Sequence, residues 1–161
     1  MLIDKIRLLE IHLFVLDAIF QMKPKFQKLY MDWAKRTAEL SYAKRLQVGA
    51  VIVKDDTVIS YGYNGMPAGW DNNCETTNAD GSLTTRVEVL HAESNAIAKL
   101  AKSNESGLDA DIFITHAPCI DCAKLIYQSG IRRVYFGKQY RDDSGVKFLE
   151  ASGVVVEKLD E

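Results

Sequence analysis

Hydrophobic and polar positions repeat with two different periods along this chain, and the alternation between the periods predicts a mixed fold. Five short apolar runs rich in β-branched residues predict strands, at 48–53, 57–61, 111–115, 131–136 and 154–156. Apolar residues at helical spacing predict helices, at 25–40, from 91 onward, at 119–129 and at 142–151. Because helices alternate with strands after an opening hairpin, this order predicts a mixed sheet with helices on both faces.

Three stretches depart from this alternation. Residues 62–69 are predicted to form a glycine-rich loop, in which the backbone can approach a ligand closely. Residues 70–90, rich in Asp, Asn and Thr, are predicted to be an excursion from the fold with an Asp-Gly turn. Residues 1–21 contain an apolar run interrupted by charges, which predicts an amphipathic helical extension ahead of a domain at 22–161.

The composition indicates one globular domain and narrows the range of partners. With 161 residues, of which 47% are hydrophobic, the chain can bury a single core. The net charge of −2, without a run of five like charges, argues against a long nucleic acid as partner. Residues 1–21 are too short and too charged to span a membrane, and they lack a signal-peptide cleavage site. Three cysteines favour a reducing, cytoplasmic compartment over a disulfide scaffold.

Two short motifs carry the candidate chemistry, His91-x-Glu93 and Pro118-Cys119-x-x-Cys122. The two cysteines lie three residues apart at the predicted start of a helix, where the positive helix terminus favours thiolates. Pro118 is predicted in the first turn of that helix, where its missing N–H is not needed. With His91 the cysteines supply three zinc ligands, which leaves the fourth tetrahedral position for water. Glu93 is the candidate base for that water, and the combined pattern is the signature of the zinc nucleobase deaminases.

Other interpretations of the cysteine pair stay open at this point. A Cys-x-x-Cys motif between a strand and a helix is also typical of thioredoxin-like redox proteins, although no proline follows these cysteines to form the loop of such folds. A structural zinc site would need a fourth ligand, for which Cys74 and His116 are the candidates. A zinc-binding scaffold without catalytic activity is the third alternative.

Four blocks of sequence together indicate a family: Val-Gly-Ala-Val-Ile-Val at 48–53, Gly-Tyr-Asn-Gly-Met-Pro-Ala-Gly at 62–69, His-Ala-Glu-Ser-Asn-Ala-Ile at 91–97 and Pro-Cys-Ile-Asp-Cys-Ala-Lys at 118–124. They resemble the deoxycytidylate (dCMP) deaminases of the cytidine-deaminase-like superfamily. The resemblance implies a three-layer α/β/α fold with a central mixed five-stranded sheet. It also implies hydrolytic deamination of dCMP to dUMP, which feeds dTMP synthesis, with one zinc ion held by His91, Cys119 and Cys122 and with Glu93 as the catalytic residue.

The same resemblance implies where substrate and effectors bind. Asn64 would bind the deoxyribose, and the backbone of Ala92 would face the base. Three residues would lie near the 5′-phosphate, namely Arg45, Tyr140 and Arg141, although Arg45 is equally typical of a solvated surface arginine. A triphosphate effector, dCTP as activator or dTTP as inhibitor, would bind with Mg²⁺ at Gly65, Met66, Pro67, Asn95 and Lys102. The implied assembly is a homohexamer.

The motifs leave the substrate open among related compounds. Free cytidine, guanine or a tRNA base forms the alternative substrate class, and the lack of a basic stripe argues against the tRNA base. Some viral members of the family carry a second, structural zinc in the segment that corresponds to residues 70–90. Here that segment has Cys74 as its only cysteine, which argues against a second zinc.

Overall fold

The computed structural model describes residues 21–159. The predicted helical extension at residues 1–21 therefore lies outside the described residues, apart from Gln21. Within the described range, no helix is long and apolar enough to cross a lipid bilayer. The helices and strands reported below lie between residues 24 and 158.

Between residues 21 and 159 the chain forms seven strands and four helices. The strands are β1 (Gly49–Lys54), β2 (Thr57–Tyr63), β3 (Glu75–Thr77), β4 (Leu83–Thr85), β5 (Asp111–His116), β6 (Arg133–Lys138) and β7 (Val155–Lys158). The helices are α1 (Pro24–Ala38), α2 (Ala92–Leu100), α3 (Ile120–Gln128) and α4 (Ser144–Ala151). Within residues 21–159 each predicted helix and strand is present, and its ends move by only one or two residues.

Five of the strands form the central sheet, in the order β2-β1-β5-β6-β7. β1 pairs antiparallel with both β2 and β5, whereas β6 pairs parallel with both β5 and β7. The prediction of a mixed five-stranded sheet is therefore confirmed. The parallel half is built from strand–helix–strand units, so the end of β5 and the start of α3 lie at one edge of the sheet.

Helices cover both faces of this sheet, which confirms the three-layer α/β/α arrangement. On one face, α1 packs through Tyr30, Met31 and Ala34 against alternate strand residues such as Val51 and Phe113. On the other face, α2, α3 and α4 pack on the intervening strand residues. The larger core formed there includes Ala50, Ile52, Ala92, Ala96, Ile112, Ile114, Ala123, Ile126, Val134 and Leu149. Because strand side chains alternate between faces, a sheet covered on both sides needs these continuous apolar runs.

The glycine-rich segment at 62–69 is only partly a loop, which corrects the prediction. Gly62 and Tyr63 continue β2, and Gly62 lies opposite Ala50 of β1. A Cβ atom at Gly62 would overlap the carbonyl oxygen of Ala92 in α2. Glycine is therefore needed at this position for the close packing of helix on strand, and not for the approach of a ligand.

Two further predictions need correction. The excursion at 70–90 contains a second sheet, in which β3 and β4 pair antiparallel. These strands are only three residues long and polar, so they lack the apolar alternation that marks a strand in sequence. The predicted turn is present at Gly81, which has a φ of 82°. Pro118 precedes α3 instead of lying in its first turn, because Cys119 is the extended N-cap residue.

Replacing Gly62 with alanine should lower the free energy of unfolding, because the new Cβ would meet the backbone of α2 and not a flexible side chain. Overpacking of this kind costs about 1–3 kcal/mol, which a urea titration would measure as a lower midpoint. Gly65→Ala is the matched control, since a Cβ there would meet only the Tyr63 ring, at 3.8 Å. Equal midpoints for Gly62→Ala and the unmodified protein would contradict this account of the packing.

Candidate active site

Two helices begin at the same edge of the central sheet, and a residue of the zinc motif precedes each of them. His91 is the N-cap of α2 and Cys119 is the N-cap of α3, both with extended backbones. Cys122 lies buried in the first turn of α3. Helix N-termini carry partial positive charge, so this edge of the sheet stabilises thiolates and other anions.

Close backbone contact holds the cysteine segment in place. Gly145 of α4 lies against this segment so closely that a Cβ atom there would overlap the carbonyl oxygen of Pro118. Pro118 is fully buried, and the backbone N–H of Ala117 donates to the carbonyl of Lys138 at 2.8 Å. The residues that lead into α3 are thus held between β6 and α4, which fixes the position of Cys119.

Three candidate ligands meet in a geometry that fits zinc. The Nδ1 atom of His91 lies 3.5 Å from the Cys119 sulfur and 3.4 Å from the Cys122 sulfur. All three ligand atoms lie within 4.8 Å of one another. Zinc bonds of about 2.3 Å to sulfur and about 2.0 Å to nitrogen, at tetrahedral angles, place ligand atoms about 3.5 Å apart. The imidazole and the two thiols therefore suit a zinc ion with three protein ligands.

Neither candidate for a fourth protein ligand belongs to this group. Among residues 21–159, His91, Cys119 and Cys122 form the metal-binding group without a further His, Cys, Asp or Glu. The Cys74 sulfur lies 3.7 Å from the carbonyl oxygen of Asn72, and the Nδ1 atom of His116 lies 3.1 Å from Thr115 Oγ1. Three protein ligands with an open position are typical of catalytic zinc sites, whereas structural sites are closed by four.

The protein by itself stabilises one thiolate at this site. Hydrogen bonds from Cys122 and His91 lower the pKa of the Cys119 thiol to about 4. The interaction with Cys119, together with burial, raises the pKa of the Cys122 thiol, because two adjacent thiolates repel each other. The hydrogen bond to Cys119 also raises the pKa of His91. When both sulfurs coordinate a divalent cation, both thiols lose their protons, and the charge of the cation offsets the repulsion between the two thiolates.

Glu93 is a buried acid in the same cavity as these ligands. It lies in the first turn of α2 and is 4% exposed. Burial raises the pKa of its carboxyl to about 7. A carboxyl group that ionises near neutral pH can accept a proton and return it, which is the property of a general acid–base catalyst.

One cavity of about 340 Å³ connects the candidate zinc site with the predicted substrate residues. Its wall includes His91, Glu93 and Cys119. The wall also includes the five residues that the family resemblance assigned to the substrate, namely Arg45, Asn64, Ala92, Tyr140 and Arg141. Residues that are up to 96 positions apart in sequence are thus brought to a common surface.

Hydrogen bonds hold Asn64 and Arg45 in the cavity wall. Asn64 accepts from the backbone N–H of Val48 through Oδ1 and donates to the carbonyl of Leu46 through Nδ2, both at 2.8 Å. The Nη1 atom of Arg45 donates to Thr85 Oγ1 at 2.9 Å. Asn64 keeps one N–H and one lone pair for a ligand, and Arg45 keeps most of its N–H donors.

Eight residues of the cavity wall were not predicted from the sequence to line a substrate cavity: Ala43, Leu46, Val48, Glu75, Thr85, Val89, His116 and Ala117. Glu75 and Thr85 belong to the β3–β4 hairpin, which had no recognisable strand pattern. His116 ends β5, and burial lowers the pKa of its imidazole, which favours the neutral ring. The sequence around Glu75 is polar and shows only that a cysteine precedes it, which gives no signal that this glutamate would be buried in a cavity wall.

The residues predicted to bind an effector lie in two places. Gly65, Met66 and Pro67 follow β2, where the N–H and carbonyl of Gly65 both pair with Leu90. The Asn95 side chain donates to the backbone carbonyl of the last residue of β2 at 3.0 Å. Both backbone groups of Gly65 therefore already have partners within the protein.

Lys102 lies two residues beyond the end of α2, whereas Asn95 lies within the helix. Lys99, which was not predicted from the sequence, contacts β2 directly. Its Nζ atom donates to the carbonyl of Tyr61 at 2.9 Å and lies 4.2 Å from the centre of the Tyr61 ring. Burial lowers the pKa of Lys99. The structure thus places a cation that was not predicted beside the strand that precedes Gly65.

Comparisons with known proteins agree with this arrangement. The family model for the cytidine and deoxycytidylate deaminase zinc-binding region matches residues 24–138. The dCMP deaminase of cyanophage S-TIM5, solved in complex with dCMP and dUMP, is 44% identical, with a TM-score of 0.81 over 86% of this chain and 100% of that chain.

Two further proteins are similar in sequence to this chain. The deoxycytidylate deaminase of Mycobacterium phage D29 is 35% identical over 128 residues, which are 73% of this chain and 98% of that protein. ComE operon protein 2 of Bacillus subtilis is 36% identical over 140 residues, which are 84% of this chain and 71% of that protein. This chain belongs to the family of cytidine and deoxycytidylate deaminases with a zinc-binding region.

Proposed function

We propose that this protein catalyses the zinc-dependent hydrolytic deamination of dCMP to dUMP and ammonia. The observation that carries the proposal is one cavity whose wall contains the His91 and Cys119 ligands, the buried acid Glu93, and the cations Arg45 and Arg141. A related enzyme that is 44% identical was solved with dCMP and dUMP, which supports the same substrate here. The three-ligand metal group supports a catalytic ion over a structural one.

Glu93 is the residue that moves protons in this reaction. When bound, zinc would supply the Lewis acid that activates a water molecule. Glu93 accepts a proton from the attacking water and donates it to N3 of cytosine, while the water oxygen bonds to C4. Glu93 then carries the second water proton to the C4 amino group, the C4–N bond breaks, and ammonia leaves. Because Glu93 is buried, bulk water does not compete for these protons.

The remaining wall residues orient the nucleotide. Arg45 and Arg141 are exposed cations on the cavity wall, and guanidinium groups bind phosphate through paired, charge-assisted hydrogen bonds. Tyr140, which is 38% exposed, supplies a hydroxyl beside them. We assign the 5′-phosphate to these three residues, the deoxyribose to the free groups of Asn64, and the face of the base to the backbone of Ala92.

We extend the proposal to regulation, assembly and location. Control by dCTP and dTTP with Mg²⁺, and assembly into a hexamer, follow from the family resemblance. The segment at 65–67 with Asn95 is the proposed effector site, and Lys99 is better placed than Lys102 to supply its cation. A cytoplasmic location is supported by three cysteines that all lie unpaired in the described structure.

Replacing Cys122 with serine should lower the zinc content of the purified protein, because a neutral hydroxyl takes the place of a thiolate ligand. Elemental analysis after dialysis against a weak chelator would measure the loss. Cys74→Ser is the matched control, since Cys74 is also buried but lies outside the ligand group, and its zinc content should not change. Full zinc occupancy in Cys122→Ser would remove Cys122 from the ligand set.

Replacing Glu93 with glutamine should leave zinc and substrate bound but slow turnover. The amide keeps the shape of the side chain but cannot carry a proton, and loss of general acid–base catalysis reduces kcat by about 10²–10⁴-fold. Steady-state kinetics with dCMP would measure kcat, and equilibrium dialysis would measure binding. Glu150→Gln, an exposed carboxylate on α4, is the control. A normal kcat for Glu93→Gln would refute the proton-carrier role.

Replacing Arg45 with alanine should weaken the use of dCMP far more than the use of deoxycytidine. The guanidinium contributes only when a phosphate is present, and loss of a hydrogen bond to a charged group corresponds to about 10–100-fold in kcat/KM. Arg36→Ala, an exposed arginine on α1 that pairs with Glu39, is the control. Both substrates would be assayed with the unmodified protein as well.

The outcomes of this comparison separate the substrate from the residue. Equal kcat/KM values for dCMP and deoxycytidine in the unmodified protein would disprove the monophosphate as the preferred substrate, and a free nucleoside would take its place. A strong preference for dCMP that survives Arg45→Ala would keep the substrate and reject Arg45 as the residue that binds its phosphate.

A further inference from the structure

The β3–β4 hairpin contributes a pair of side chains to the wall of the substrate cavity. Glu75 and Thr85 lie directly opposite each other in the antiparallel register of this hairpin. Both line the cavity of about 340 Å³ that also contains Arg45 and Glu93. Neither residue has a role in the chemistry described above, so their place in this wall needs a separate explanation.

Both members of this pair hold Arg45. The Oε1 atom of Glu75 accepts hydrogen bonds from the backbone N–H of Lys44 at 2.9 Å and of Arg45 at 3.2 Å. The Oγ1 atom of Thr85 accepts from Nη1 of Arg45 at 2.9 Å. The backbone of Arg45 and the tip of its side chain are therefore fixed by the two residues of one register pair, although residues 45 and 75 are 30 positions apart.

The environment of Glu75 indicates that its role is not only structural. Glu75 is 5% exposed, and its Oε2 atom is buried without a hydrogen-bond partner among the described residues. A buried acceptor without a partner destabilises a fold. Residues kept at such a cost are concentrated at functional sites, where the local arrangement serves binding or catalysis.

The orientation of the Arg45 side chain depends on these hydrogen bonds. Arg45 lies between α1 and β1, in a segment without helix or strand, and its side chain is exposed. A free arginine side chain samples many rotamers, and this freedom is lost when it binds an anion. Hydrogen bonds that already hold the guanidinium reduce that loss, which strengthens binding without any new contact to the ligand. The bond to Thr85 uses one N–H, so the other donors of the guanidinium are available for a phosphate.

We propose that Glu75 and Thr85 are positioning residues that hold Arg45 in the orientation that binds the 5′-phosphate of the nucleotide. The β3–β4 hairpin is thereby the element that sets the preference for a nucleoside monophosphate over the free nucleoside. This inference rests on the proposed function, because it requires that the phosphate is bound at Arg45. Glu75 and Thr85 act through Arg45 and contact neither the base nor the reacting atoms.

The first test changes the acceptor for the guanidinium. Thr85→Val keeps the shape of the side chain but removes the oxygen that accepts from Arg45. We expect KM for dCMP to rise by about three- to tenfold, because the freed Arg45 side chain must then be ordered when the phosphate binds, while kcat and the activity on deoxycytidine change by less than about twofold. Thr85→Ser keeps the oxygen and should restore the low KM. Thr77→Val, an exposed threonine of the same hairpin opposite Leu83, is the control.

The second test changes the acceptor for the backbone. Glu75→Ala removes the oxygen that holds the N–H groups of residues 44 and 45, whereas Glu75→Gln keeps an amide oxygen at the same place. KM for dCMP should rise in Glu75→Ala and rise less in Glu75→Gln, again with little change for deoxycytidine. Zinc content and the urea midpoint are measured for each variant, so that loss of fold is recognised and only folded variants are compared.

The pattern of results separates this inference from the proposed function. If the unmodified protein does not prefer dCMP, or if Arg45→Ala leaves the preference intact, the proposed phosphate site fails and this inference fails with it. If Arg45→Ala removes the preference but folded Thr85→Val and Glu75→Ala keep it, the proposed function stands and the positioning role is disproved. Equal losses on dCMP and deoxycytidine in these variants would also disprove it, because they would indicate a general structural effect.

Discussion

Contact between backbones at two glycines sets the distances on which the candidate site depends. Gly62 allows α2 to lie directly on β2, and Gly145 allows α4 to press against the segment that leads to Cys119. These contacts fix the N-termini of α2 and α3 relative to each other. Because protein interiors are packed at high density, a shift of the backbone at either contact would also move the side chains of the three metal ligands. The three ligand atoms meet within 4.8 Å as a result of this packing.

The electrostatics of the site follow from the same two helix ends. The partial positive charge at each N-terminus favours anionic sulfur, and hydrogen bonds within the group lower the pKa of Cys119. Glu93 lies in the first turn of α2 but is buried, and burial raises the pKa of its carboxyl. Groups a few ångströms apart therefore have pKa values shifted in opposite directions. Such separation is typical of sites in which one group holds a charge and another carries a proton.

The β3–β4 hairpin completes the wall of the cavity that the central sheet and its helices begin. The central sheet and its helices supply the metal group, the acid and the segment with Asn64. The hairpin supplies a different part of the wall, and its contacts reach back to the irregular segment before β1 through Arg45. A short polar hairpin has little core of its own, so its place is set by hydrogen bonds and by the bridge between Gly65 and Leu90.

The sequence by itself determined the five strands of the central sheet, the four helices between residues 21 and 159, and the metal-ligand group. The spacing of hydrophobic residues is a local property, so it predicts strands and helices without a structure. The residue types and spacing of His91, Cys119 and Cys122 likewise indicate zinc ligands from the sequence alone. The family resemblance added Asn64, Arg45, Tyr140 and Arg141, which the structure brings to one cavity.

Only the tertiary structure decided what the contacts between distant segments do. Gly62 had been assigned to a ligand loop but serves helix packing, and the polar hairpin had no visible pattern. Lys99, which was not predicted from the sequence, contacts β2 through the carbonyl of Tyr61. The physical reason is the same in each case. A backbone contact across the sheet, or a hydrogen bond between residues 30 positions apart, leaves no period in the sequence. It exists only once packing has brought the two segments together.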